Sequence, residues 1–128
     1  MSKVILVVDD SATLRMSVDM TLTPAGFEVL HARDGQEGLD QLINLQEQQT
    51  APVMIISDIN MPVMDGITFI KEVKKTPLRY LPILVLTTEQ EDSKKLEGKN
   101  AGAAGWLVKP FKPETLLAVV RKFTRTIS

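Results

Sequence analysis

Val4-Ile5-Leu6-Val7-Val8 runs without interruption into Asp9-Asp10-Ser11: five aliphatic residues, then two carboxylates and a hydroxyl. An unbroken aliphatic run, as opposed to an alternating one, is what a strand covered on both faces requires. Its abrupt polar end puts acidic side chains at the carboxyl end of that strand. Outward from it, apolar runs recur at residues 27–30, 53–56, 83–86 and 106–108, with enough chain between them for a helix each time. The runs at 53–56 and 83–86 are again continuous, whereas 27–30 carries Glu28 and reads as an edge strand.

The intervening segments carry helix signals. Asp34-Gly35-Gln36-Glu37 has the form of an acid-start capping box, with Leu39, Leu42 and Ile43 on one face behind it. Asp65 suits the cap of a helix through Ile67, Ile70 and Val73. Pro113 suits the first turn of one carrying Leu116, Leu117, Val120, Phe123 and Ile127. In residues 11–23, Leu14, Met16, Val18, Met20 and Leu22 alternate as in a strand, but a strand that long is unusual. Leu14, Val18 and Leu22 also fall at i, i+4, i+8, and this spacing predicts a helix starting near Ser11. Residues 91–101 are mostly polar, with Leu96 as the main apolar anchor and Gly98 weakening the helix, so the loosest helix is expected there. Strands alternating with helices imply a parallel sheet with right-handed crossovers and helices on both faces. Ligands of such sheets gather beyond the carboxyl ends of the strands.

Composition narrows the function. With 128 residues the chain reads as one domain, 1–128, large enough to hold a core without disulfide or metal. The absence of cysteine excludes a thiol nucleophile and thiolate metal sites, and a single histidine, His31, excludes multi-histidine zinc sites. His31 sits at a strand end with no partner motif and is expected to be structural. A net charge of -1 argues against a basic nucleic-acid binder. No unbroken apolar run exceeds five residues, so membrane insertion is not expected, and the start is too short for a signal peptide; a cytoplasmic location follows as an expectation.

The residues that follow the aliphatic runs share a chemistry. Val8 is followed by Asp9 and Asp10, Ile56 by Ser57 and Asp58, Leu86 by Thr87 and Thr88, and Val108 by Lys109 and Pro110. Each residue alone has an ordinary reading: an Asp as a helix cap, a Thr as a strand-end hydroxyl, a Lys as a solvated cation. Together, three carboxylates, a hydroxyl and an ammonium converge on one rim. Two carboxylates about 4 Å apart repel by roughly 4 kcal/mol at an effective dielectric near 20, and a third adds to it. A hard cation would relieve this, and with only oxygen ligands available Mg²⁺ is the natural choice.

Four segments carry a resemblance. They are Val7-Val8-Asp9-Asp10-Ser11, Ser57-Asp58-Ile59-Asn60-Met61-Pro62-Val63-Met64-Asp65-Gly66, Leu86-Thr87-Thr88-Glu89 and Gly105-Trp106-Leu107-Val108-Lys109-Pro110-Phe111. On these, in this order, the chain resembles response-regulator receiver domains over essentially its whole length, and among them the stand-alone chemotaxis regulators. The resemblance implies an α/β, doubly wound, flavodoxin-like fold: a five-stranded parallel sheet of order 2-1-3-4-5 flanked by five helices, with no output domain. It implies that Asp58 is the phosphoacceptor, attacking a phosphohistidine of a sensor histidine kinase. Asp10 and Asp58 would ligate Mg²⁺ directly, Asp9 through water, and the backbone carbonyl of Asn60 would add a ligand. Lys109 would pair with a phosphoryl oxygen, Thr87 would turn its hydroxyl onto another, and the Lys109-Pro110 peptide would be cis. Trp106 stands where the family carries a switching aromatic, usually Tyr, Phe or His, and Asn60 and Glu89 where it tunes the phosphoryl lifetime. Thr88 departs from the usual Ala or Gly. The fourth helix, fifth strand and fifth helix would form the output face.

Implied partners are the kinase and a flagellar motor switch protein or a phosphatase; nucleic acid is not among them. A monomer is expected, and a phosphoacceptor that is not a turnover enzyme. An alternative is a stand-alone phosphorelay shuttle that passes the group to a histidine phosphotransfer domain. A haloacid-dehalogenase-type phosphatase would need a second Asp two residues after the nucleophile on the first strand, where Ser11 and Ala12 stand. A flavodoxin-type carrier would place a hydroxyl- and glycine-rich loop where Asp9-Asp10 would repel a flavin phosphate.

Overall fold

The computed structural model describes residues 3–125. In chain order the elements are β1 (Lys3–Val8), α1 (Ala12–Leu22), β2 (Phe27–Ala32), α2 (Gly35–Glu47), β3 (Met54–Ser57), α3 (Gly66–Lys74), β4 (Ile83–Thr87), α4 (Asp92–Ala101), β5 (Gly105–Val108) and α5 (Pro113–Thr124). All strand pairs are parallel, in the order β2-β1-β3-β4-β5. The expected fold is therefore the observed one, with β2 at an edge.

Because side chains alternate across a strand, each continuous run feeds two cores. Leu6, Val8, Ile55, Ile83 and Val85 face one side, where Leu42 of α2 and Ile67, Phe69, Ile70 and Val73 of α3 cover them. Ile5, Val7, Met54, Ile56, Leu84 and Leu86 face the other, against Val18 and Leu22 of α1 and Leu116 and Val120 of α5. Full burial of each such side chain contributes about 1.5–3 kcal/mol, which fits three central strands that carry polar residues only at their first or last position.

The helix caps follow the sequence. Ser11 Oγ accepts from Leu14 N, Asp34 Oδ1 from Glu37 N and Asp65 Oδ1 from Thr68 N. The helical reading of residues 11–23 holds: Val18 and Leu22 are buried while Met16 and Met20 are exposed. Three expectations need correction. Ile43 is exposed, since α2 turns only Leu42 fully inward. Leu96 does not anchor α4; it is 58% exposed, and the buried residue of that helix is Gly98. His31 does have a partner: its Nε2 lies 2.8 Å from Asp19 Oδ2, tying edge strand β2 to α1. Ile127 lies outside the described residues. Among the described residues, no helix is long and apolar enough to cross a membrane.

Candidate functional site

The sheet ladder continues one residue beyond β1, β3 and β5, and this places the site. Asp9 N donates to Ala32 O, Asp58 N to Val8 O and Lys109 N to Thr87 O, at 3.0, 3.0 and 2.8 Å. The backbones of Asp9, Asp58 and Lys109 are thus bonded to the sheet like the strand residues before them. The Lys109-Pro110 peptide, which follows β5, is cis.

Lys109 spans the site. Its Nζ donates to Asp9 Oδ2 at 2.7 Å and to Asp58 Oδ2 at 3.0 Å. Asp9 Oδ1 accepts from Ser11 N at 2.8 Å, and Asp58 Oδ1 accepts from Ile59 N at 2.6 Å. Asn60 N also points at Asp58 Oδ1, at 3.4 Å. Asp9 and Asp58 are buried and Asp10 is exposed, and carboxylate oxygens of all three lie within 4.8 Å of one another. Burial pushes the Asp9 carboxyl above its ordinary value, only partly opposed by the hydrogen bonds from Lys109 and Ser11. Burial also works against the charge of Lys109, but its hydrogen bonds and attraction to Asp9 and Asp58 outweigh this and hold it above the usual lysine value. Lys109 therefore keeps its proton. One ammonium facing several carboxylates leaves the rim short of positive charge.

Thr87 is fully buried at the end of β4, and its Oγ1 accepts from Glu89 N at 3.1 Å. Glu89 Oε2 accepts from Glu91 N at 3.3 Å. Thr88 and Asn60 are exposed. Trp106 does not stand free: it packs on the core shared by α2 and α3, and its Nε1 donates to Glu89 O at 3.2 Å. The structure thus brings Asp9, Asp10, Asp58 and Lys109 into one cluster and links Thr87, Glu89 and Trp106 by hydrogen bonds.

Two supports escaped the sequence reading. Arg15, on α1, donates from Nη1 to the Asp9 carbonyl, while its buried Nε has no partner among the described residues. Its position four residues after Ser11 was the available hint. Gly66 closes the loop that carries Asp58: its N donates to Ile59 O, and a β-carbon there would lie 2.1 Å from Asp58 O. Only the three-dimensional closure reveals that requirement.

This geometry can be set beside known proteins. The family model described as the response regulator receiver domain matches residues 5–121. The chain belongs to the response regulator receiver family. Among solved structures it is similar to the chemotaxis response regulator CheY4 of Vibrio cholerae, with a TM-score of 0.84 and 47% identity, covering 96% of this chain and 99% of that one. It is 39% identical to response regulator MprA of Mycobacterium sp. (strain KMS) over 124 residues, 97% of this chain and 51% of that protein. It is 35% identical to sensor histidine kinase CheAY of Helicobacter pylori over 120 residues, 93% of this chain and 15% of that protein. The receiver chain thus spans about half of MprA and a smaller part of CheAY.

Proposed function

We propose that this receiver takes a phosphoryl group from a histidine kinase onto Asp58 and, while it carries the group, changes its affinity for a downstream partner in chemotaxis. The observation that carries the reading is the ammonium of Lys109 bridging the two buried carboxylates of Asp9 and Asp58, with Asp10 alongside. The chemotaxis assignment draws on the 47% identity to CheY4 over 96% of this chain.

Asp58 Oδ2 attacks the phosphorus of the donor; the phosphorus–nitrogen bond to the kinase histidine breaks, and its electron pair stays on the ring nitrogen. Asp58 Oδ1 is already held by Ile59 N, so the attacking carboxylate is oriented before the donor arrives. Lys109 then shifts its hydrogen bond from Asp58 to a phosphoryl oxygen, as suits a compact charge on a flexible stem. Thr87 Oγ1 turns from accepting the Glu89 N–H to donating to a second phosphoryl oxygen. The donor set of three carboxylates fits Mg²⁺, which Asp10 and Asp58 would hold directly, Asp9 through water, with the Asn60 carbonyl as a further ligand. Bound there, Mg²⁺ supplies charge neutralisation for the transferring group. Asn60, Thr88 and Glu89 then set how fast water or a partner reaches the acyl phosphate. The protein acts as a phosphoacceptor without turnover, as a cytoplasmic monomer, with a kinase and a motor switch protein or phosphatase as its partners.

The test is intact mass after incubation with acetyl phosphate and Mg²⁺. Wild-type protein gains one phosphoryl group and Asp58→Asn gains none. A wild-type protein that stays unmodified, with a cognate kinase as well as with acetyl phosphate, would end the proposal.

A further inference from the structure

Among the described residues of α4, Gly98 alone is buried, and the helix has no side-chain cap at its start. What covers Gly98 is the indole of Trp106: a β-carbon at position 98 would lie 2.8 Å from Cζ3, 3.4 Å from Cε3 and 3.6 Å from Ile67 Cδ1. A flat indole cannot yield at its far end as a flexible side chain would. Its other edge is tied too, because Nε1 donates to Glu89 O, and the Glu89 backbone is held in turn by Thr87 Oγ1 at its N–H. The loop entering α4 and the middle of α4 are therefore pinned by one aromatic side chain.

We propose that Gly98 is a positioning residue for the reaction at Asp58. By admitting the indole against the backbone of α4 it sets the depth of Trp106, and through the Trp106–Glu89 bond it fixes the loop bearing Thr88 and Glu89. The proposal rests on the reading that Asp58 accepts phosphate and that this loop governs how long it stays. When Thr87 turns its hydroxyl toward the phosphoryl group, the Glu89 N–H loses its acceptor, and the bond from Trp106 Nε1 still holds the Glu89 carbonyl. A side chain at position 98 pushes the indole outward and releases it.

The experiment is Gly98→Ala made both in wild type and in Trp106→Phe. Glycine to alanine inside a helix is by itself stabilising. With the smaller ring, Gly98→Ala raises the thermal midpoint by about 2–5 °C; with Trp106 it lowers the midpoint and shifts the tryptophan emission. A Gly98→Ala chain that folds only in the Trp106→Phe background supports the same conclusion. After phosphorylation with acetyl phosphate and Mg²⁺, Gly98→Ala changes the phosphoryl half-life by about threefold or more, and the double variant matches Trp106→Phe alone. A midpoint that rises in both backgrounds, or a half-life effect that persists without Trp106, overturns the proposal. Wild-type protein that takes no phosphate instead overturns the phosphoacceptor reading and the lifetime role with it, while opposite midpoint signs still uphold the packing of Trp106 on Gly98.

Discussion

Replacing Lys109 by Met keeps most of the side-chain length and removes the charge. In the structure Nζ lies 2.7 Å from Asp9 and 3.0 Å from Asp58, and only 16% of the lysine side chain is exposed. At an effective dielectric near 20, each contact carries roughly 6 kcal/mol of attraction. Much of that offsets the desolvation of the three charges, so the contact energy itself is not what an experiment reads. The decisive quantity is what the substitution leaves behind: Asp9 and Asp58, 1% and 8% exposed, facing each other with no cation. Stranding a buried charge in this way costs about 3–5 kcal/mol, a large part of the roughly 5–15 kcal/mol that holds a domain together.

Urea denaturation in EDTA and in excess MgCl₂ separates the causes. Lys109→Met is expected to lose about 3–5 kcal/mol in EDTA. A divalent cation among the carboxylates replaces the missing charge, so MgCl₂ restores a substantial part of the loss and stabilises wild type far less. A loss below about 1 kcal/mol in EDTA, the range of an exposed ion pair, would refute the electrostatic account of the cluster. A full loss that MgCl₂ leaves untouched would refute its role as a cation site.

Other perturbations test separate links. The Asp19 carboxyl is held below its ordinary value, first by the Thr23 hydroxyl and then by His31. A group depressed in the folded state stabilises above its unfolded pKa and ceases to as pH falls through the folded one. Asp19→Asn should therefore lower stability at neutral pH and flatten the acid limb below about pH 4, which urea titrations across pH will show. Gly66→Ala would set a β-carbon 2.1 Å from Asp58 O and 2.7 Å from Ile59 Cα, both backbone atoms. It should cost more than about 3 kcal/mol or prevent folding; a normal thermal midpoint would contradict the loop closure described above. Thr88→Ala is expected to change the rate of phosphorylation or dephosphorylation by acetyl phosphate assays, and equal rates for both would sink the idea. Trp106 emission should change on adding Mg²⁺ and beryllofluoride; an unchanged spectrum and quenching would remove it from the switch.

The architecture was legible because burial leaves a strong mark on sequence. Residues 53–56 and 83–86 can be continuous only if both strand faces are covered, and the residues just after them are forced to the rim where Asp58 and Thr87 lie. Caps at Ser11, Asp34 and Asp65 were equally readable, since each is a local contact within three residues. What could not be read was contact between distant segments. His31 has no sequence neighbour that suggests Asp19, and Gly98 looks like a defect in a polar helix until Trp106 is found above it. Leu96 stays exposed for the same reason: apolar character says what a residue prefers, while the place of the helix on the sheet says what it obtains.

That distinction bears on how the site could signal. Asp9, Asp58 and Lys109 follow β1, β3 and β5 with their backbones bonded into the sheet, whereas the Thr87 side chain connects outward through Glu89, Trp106 and Gly98. On the proposed reading, phosphorylation exchanges one negative charge on Asp58 for about two, with new acceptor oxygens beside the Lys109 ammonium. The strand-end carboxylates cannot move far to meet that change, because their backbones are bonded into the ladder. Besides Lys109, which trades its bond to Asp58, the side chain with an exchangeable hydrogen bond is Thr87, whose present partner is the Glu89 N–H of the loop leading to α4. On that reading α4, a helix with one buried residue among those described, is coupled to a polar contact that breaks at the site. A helix held by few buried contacts shifts at low cost, so on the proposed reading a differential of a few kcal/mol at Asp58 would suffice to move it and to change what its surface binds.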